Sequence, residues 1–120
     1  RILVVEDDPD GLKIPAAILR NQGYEVVEAE NGEDATKRLK DGPFFDMLFT
    51  DIVLPGGMNG IEIANEAQKM QPGIKILYAT GYSENANVQI SRMAASSLLI
   101  NKPYLRAELL EKVRYILESN

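Results

Sequence analysis

The apolar positions of this chain fall into short unbroken runs that alternate with longer stretches where they recur every three or four residues. Ile2 to Val5 is the first run, β-prone and without a polar break, as expected of a strand covered on both faces. It stops at Glu6, Asp7 and Asp8. Leu12, Ala16 and Leu19 then recur at helical spacing ahead of Gly23, so 10–21 is predicted as a helix, and Pro15 inside it predicts a kink or a late start. Residues 24–29 mix Val26 and Val27 with Glu25 and Glu28, the composition of a strand near a sheet edge. After Asn31-Gly32, Ala35 and Leu39 give a thin apolar face to a polar helix that ends near Gly42-Pro43. Met47 to Phe49 is the third predicted strand, and it runs directly into Thr50 and Asp51.

The segment Leu54-Pro55-Gly56-Gly57-Met58-Asn59-Gly60 holds three glycines and a proline and reads as a loop. Ile63, Ala64, Ala67 and Met70 mark the next helix face, closed by Pro72-Gly73. Ile74 to Ala79 is predicted as a fourth strand ending at Thr80, and Leu98 to Ile100 as a fifth ending at Asn101-Lys102-Pro103. Between them, 84–95 is predicted helical, with Val88, Met93 and Ala94 as its apolar content. Leu105, Leu109, Leu110, Val113, Ile116 and Leu117 form the strongest apolar stripe, with Glu108 and Lys112 four apart outside it. Five strands alternating with five helices predict an α/β fold: a doubly wound parallel sheet with helices on both faces and right-handed crossovers. No repeat, linker or low-complexity tract interrupts 1–120, which is expected to be one domain.

Composition narrows the chemistry. A chain of 120 residues buries roughly two-thirds of its unfolded surface, enough for a real core. It has no cysteine and no histidine, which excludes disulfides, thiolate nucleophiles, cysteine or histidine zinc sites and any internal Ser/His pair. Eighteen acidic against thirteen basic side chains give a net charge of −5, which disfavours direct contact with nucleic acid or anionic lipid. No apolar run approaches the roughly 20 residues of a membrane helix, and the first residues lack a signal pattern, so a soluble, cytoplasmic domain is expected. The chain opens at Arg1, as an excerpt of a longer parent would.

In a doubly wound sheet, ligands bind outside the carboxyl ends of the strands. Glu6, Asp7 and Asp8 follow the first strand, Asp51 the third, Thr80 the fourth and Lys102 the fifth, all at that edge. Carboxylates gathered there repel, by roughly 4 kcal/mol for unit charges about 4 Å apart at an effective dielectric near 20. Lys102 offsets part of this. Hard oxygens with few protein ligands are also what Mg²⁺ takes, and a metal-assisted phosphoryl site is the hypothesis that results. Each residue alone has a plainer reading: Asp51 as a turn or cap, Thr80 as a β-former, Lys102 as a solvated charge, and Glu6 to Asp10 as caps of the first helix. Four strand ends supplying complementary groups shift the balance toward a site.

The residues Ile2-Leu3-Val4-Val5-Glu6-Asp7-Asp8-Pro9, Asp46 through Asp51, Leu54-Pro55, Met58-Asn59-Gly60, Ala79-Thr80-Gly81 and Lys102-Pro103-Tyr104 resemble the receiver domains of two-component response regulators and hybrid histidine kinases. The likeness covers essentially the whole chain. It implies strand order 2-1-3-4-5 and a phosphoacceptor, Asp51, that attacks a phosphohistidine on a histidine kinase or phosphotransfer domain. It further implies that Asp7 binds Mg²⁺ directly, that Glu6 acts largely through water, and that Asp51 and the Val53 carbonyl complete the protein ligands. Thr80 is the implied donor to a phosphoryl oxygen and Lys102 the cation that pairs first with Asp51 and then with the phosphoryl group. The Lys102-Pro103 bond is implied to be cis. The implied activity is not that of a conventional enzyme: such a domain catalyses its own phosphorylation and dephosphorylation and signals to a downstream protein or output domain.

The sequence also departs from the family's commonest pattern. Leu99 stands three before Lys102, where an aromatic switch residue is usual. The Pro55 to Met58 spacing is one residue longer than usual, with Gly56-Gly57 between. Both resemble receivers of hybrid kinases or stand-alone receivers. Tyr82 stands where the family tunes dephosphorylation. The main competing reading is a phosphate-independent pseudo-receiver that acts through its surface; the intact set Glu6, Asp7, Asp51, Thr80 and Lys102 weighs against it. An aspartyl-phosphate phosphatase would want a second Asp where Val53 stands. A flavodoxin-like phosphate loop is incompatible with the acidic run after the first strand, and the Asp8-x-Asp10-Gly fragment lacks the other ligands of a calcium loop.

Overall fold

The first apolar run forms strand β1 (Ile2–Val5), buried along its whole length. The computed structural model describes residues 1–54, 57–81 and 99–119. Among these, β1 is joined by β2 (Val26–Ala29), β3 (Met47–Asp51), β4 (Lys75–Thr80) and β5 (Leu99–Asn101) in one parallel sheet of order β2-β1-β3-β4-β5. The predicted edge strand is indeed at the edge, and it starts at Val26. β3 runs two residues past the predicted Phe49 because Asp51 is still in register with Ala79. Ile74 is outside β4: its amide closes a turn on the Gln71 carbonyl at 2.9 Å.

Four helices flank the sheet among the described residues: α1 (Pro9–Asn21), α2 (Gly32–Asp41), α3 (Gly60–Met70) and α4 (Arg106–Glu118). The helix predicted over 84–95 lies outside the described residues. Alternate strand residues serve two cores. Ile2 and Val4 pack with Leu12 and Leu19 of α1 and Leu109, Val113 and Ile116 of α4, whereas Leu3 and Val5 pack with Ala35 and Leu39 of α2 and Ile63, Ala64 and Ala67 of α3. A sheet covered on both faces is what its near-continuous apolar strands require.

Local chemistry sets the helix ends. Asp8 caps α1, its carboxylate accepting from the Asp10 amide at 3.3 Å, and Pro9 opens the helix where no amide is needed. The late start expected from Pro15 is therefore not observed; Pro15 is buried inside a helix that the cap has already begun. Asn59 and Glu62 form a reciprocal capping box on α3, at 2.9 and 3.0 Å. Glycine at the first position of α3 is required by space: a Cβ on Gly60 would collide with the Asp51 carbonyl oxygen. Just after α3, the buried Gln71 side chain accepts from the Phe45 amide at 2.8 Å and donates to the carbonyls of Leu39 and Pro43, tying the α2–β3 connection to the core.

Candidate functional site

The parallel register brings the predicted residues to one edge. Val5 is opposite Thr50, Asp51 opposite Ala79 and Thr80 opposite Asn101, so Glu6, Asp51, Thr80 and Lys102 stand at adjacent strand ends. Two backbone bonds lace these ends together: Ile52 donates to the Ala79 carbonyl at 3.0 Å and Lys102 to the Thr80 carbonyl at 2.8 Å.

Lys102 is the hub. Its ammonium donates to Glu6 Oε2 and to Asp51 Oδ2, each at 2.9 Å. Both carboxylates are nearly closed to solvent, with 9% and 7% of their side chains exposed. Burial lowers the affinity of the Lys102 amine for its proton, but the hydrogen bonds to Asp51 and Glu6 outweigh it and hold the pKa well above the ordinary lysine value. Glu6 shows the mirror image: burial pushes its carboxyl up, and hydrogen bonding with Lys102, Asp7 and the Asp8 amide holds it below 4.5. Asp7, mostly exposed beside them, is raised above 3.8 by partial loss of hydration and then by the Glu6 carboxylate. The resemblance had implied only the Lys102 to Asp51 pair; the bridge to Glu6 follows from where β1 ends and is invisible in the linear sequence.

Donor oxygens of Glu6, Asp7 and Asp51 lie within 4.8 Å of one another. An all-oxygen set of this kind fits a small hard cation such as Mg²⁺. Asp8 and Asp10, the other members of the acidic run, sit instead at the start of α1. Thr80 is fully buried, its hydroxyl within 3.3 Å of the Gly81 carbonyl. Val53 is half-exposed two residues beyond Asp51. Leu99 is buried in register with Tyr78 of β4. The Lys102-Pro103 peptide is cis, as the resemblance implied. Tyr104 then turns its ring onto Phe49, centroids 6.2 Å apart, and burial pushes its phenol up to about 12. A cleft of about 400 Å³ opens beside Lys102 between Ile14, Pro15 and Tyr104.

A five-stranded parallel sheet of this order, with a lysine-bridged acidic cluster at its carboxyl edge, is a flavodoxin-like fold. Residues 2–114 match the response regulator receiver domain family, and the chain belongs to it. It is 35% identical over 117 residues to the response regulator receiver protein CpdR of Brucella abortus (strain 2308), covering 98% of this chain and 96% of that protein. It is 30% identical to the sensor kinase CckA of the same organism, of which it spans only 12%. Among solved structures, the CheY-like receiver domain protein of Methanospirillum hungatei JF-1 superposes with a TM-score of 0.84 at 34% identity, covering 98% of this chain and 93% of that one. The chain is thus a receiver domain of the two-component type, a class consistent with a phosphoacceptor role. Among the described residues no helix is long and apolar enough to cross a membrane.

Proposed function

We propose that Asp51 takes a phosphoryl group from a phosphohistidine on a histidine kinase or phosphotransfer domain, and that residues 1–120 act as one such unit. A carboxylate oxygen of Asp51 attacks phosphorus, and the imidazole nitrogen of the donor leaves. Phosphoryl transfer needs little covalent help from a protein; it needs in-line positioning and neutralised equatorial oxygens. Lys102, now shared by Glu6 and Asp51, is close enough to follow the charge onto the phosphoryl group. Thr80, at the adjacent strand end, donates its hydroxyl to a second oxygen. Mg²⁺ held by Glu6, Asp7, Asp51 and the Val53 carbonyl would supply the remaining charge stabilisation. The observation that carries this reading is the ammonium of Lys102 set 2.9 Å from Asp51 beside two further carboxylates.

The donor supplies the histidine this chain lacks. It would approach across Ile14 and Leu105, which are 60% and 76% exposed. Transmission to a downstream protein or output domain, a cytoplasmic setting, and no direct contact with nucleic acid complete the proposal, whether the parent is a stand-alone receiver or a hybrid kinase. Intact-mass spectrometry after incubation with acetyl phosphate tests it. A single phosphoryl adduct that disappears with chelator supports the reading, and no adduct with or without Mg²⁺ points to a phosphate-independent module.

A further inference from the structure

The described residues that lead into α3 are anchored at Gly60, against the acceptor strand, and at Met58, against α2. At Gly60, the amide donates to the Ile52 carbonyl at 2.8 Å, and the missing side chain makes room for the Asp51 carbonyl oxygen. Two residues earlier, Met58 is half-buried against the α2 and α3 core. There, a Cβ on Gly32, the first residue of α2, would lie 2.9 Å from Met58 Cβ and 3.4 Å from Ile63 Cδ1. One turn along α2, the Thr36 hydroxyl lies 3.9 Å from Met58 Sδ. The φ of Gly32 requires no glycine; space does.

We infer that Gly32 is a positioning residue for the chemistry at Asp51: the notch it leaves in α2 seats Met58, and with it Asn59 and Gly60, the residue that packs on the Asp51 carbonyl and bonds to Ile52. This rests on the reading of Asp51 as acceptor. The contact is with Met58 Cβ, so a methyl at position 32 must move the Met58 backbone and not just a flexible side-chain tip. A groove of about 780 Å³ bordered by Gly32, Thr36, Gly57 and Met58 leaves space beside Met58, so Gly32→Ala is expected to displace Met58 without unfolding the domain. A misplacement of about 1 Å at a site built on positioning can cost about 100-fold, and a smaller shift correspondingly less.

The test measures Mg²⁺ affinity by calorimetry and the acetyl phosphate labelling rate for wild type, Gly32→Ala, Met58→Ala, Met58→Gly and Gly32→Ala combined with Met58→Gly, with circular dichroism to monitor folding. The expected result is a fall of about tenfold in both quantities for Gly32→Ala, a smaller fall for Met58→Ala, and a double variant no worse than Gly32→Ala alone. Wild-type affinity and rate in Gly32→Ala would overturn the inference, as would losses that simply add in the double variant. If Gly32→Ala does not fold, Met58→Ala decides by itself: unchanged Mg²⁺ affinity there overturns the inference. Failure of the wild type to label would instead count against the acceptor reading.

Discussion

Lys102 and Glu6 lie 96 residues apart in sequence and 2.9 Å apart in space, and that ion pair, doubled by the one to Asp51, holds the acidic edge of the sheet together. Removing the cation leaves two buried carboxylates facing each other. Lys102→Met is therefore expected to destabilise the metal-free domain by about 1–3 kcal/mol, below the figure for a fully buried pair because the lysine side chain is 35% exposed. Added Mg²⁺ is expected to stabilise this variant more than the wild type, since the ion no longer competes with an ammonium. Urea denaturation with and without Mg²⁺ checks both; an unchanged midpoint would mean the bridge contributes nothing.

The two neighbouring acids respond to pH in opposite senses. Glu6 is held below 4.5, so its stabilisation is present above that value and is lost as pH falls through the lower folded value. Asp7 is raised above 3.8, so its contribution is present below that value and is lost as pH rises through the raised one. Asp7→Asn should accordingly raise the stability of the metal-free domain at neutral pH while leaving the acid loss due to Glu6. Its Mg²⁺ affinity should fall more than tenfold: a unit charge about 4 Å away is worth about 1 kcal/mol even in bulk water, and the ion carries two. Denaturation curves across pH, with a Mg²⁺ titration, decide this.

Thr80→Ala removes a single hydroxyl at the end of β4. The labelling rate is expected to drop about 100-fold, the usual consequence of losing one preorganised donor to a developing oxyanion. Thr80→Ser should recover much of it. Equal rates for all three proteins would remove Thr80 from the chemistry.

Gln71 separates stability from function. Gln71→Leu strands the buried Phe45 amide that its side chain now satisfies at 2.8 Å, at a cost of about 1–3 kcal/mol. Because Gln71 is remote from the carboxyl edge, the labelling rate at a temperature where the variant is folded should be unchanged.

The sheet was legible because its strands are unbroken apolar runs, and α4 because its stripe is long. The gathering of Glu6, Asp51, Thr80 and Lys102 at one sheet edge was legible too, because each stands at the carboxyl end of a strand. What pattern reading could not reach was set by tertiary contact. Pro15 argued for a late helix start, but Asp8 and Pro9 nucleate α1 ahead of it. Asp51 counts as strand only because Ala79 is opposite it. Gly60 was grouped with loop glycines, yet it opens α3 and is glycine because the Asp51 carbonyl occupies the space of its side chain. Gln71 carries no periodic or motif signal at all. The acidic run looked like one feature and is two, with Glu6 and Asp7 in the site and Asp8 capping a helix.

The most direct measurement is the position of the phosphoryl group. An acyl phosphate, unlike a phosphoester, is reduced by borohydride to the alcohol, so an aspartyl phosphate is converted to homoserine. After labelling with acetyl phosphate and Mg²⁺, reduction and peptide mapping should find homoserine at position 51 and nowhere else, and none in Asp51→Asn, whose circular dichroism stays native. Homoserine at another aspartate, or a label that survives in folded Asp51→Asn, would contradict the assignment of Asp51 as acceptor.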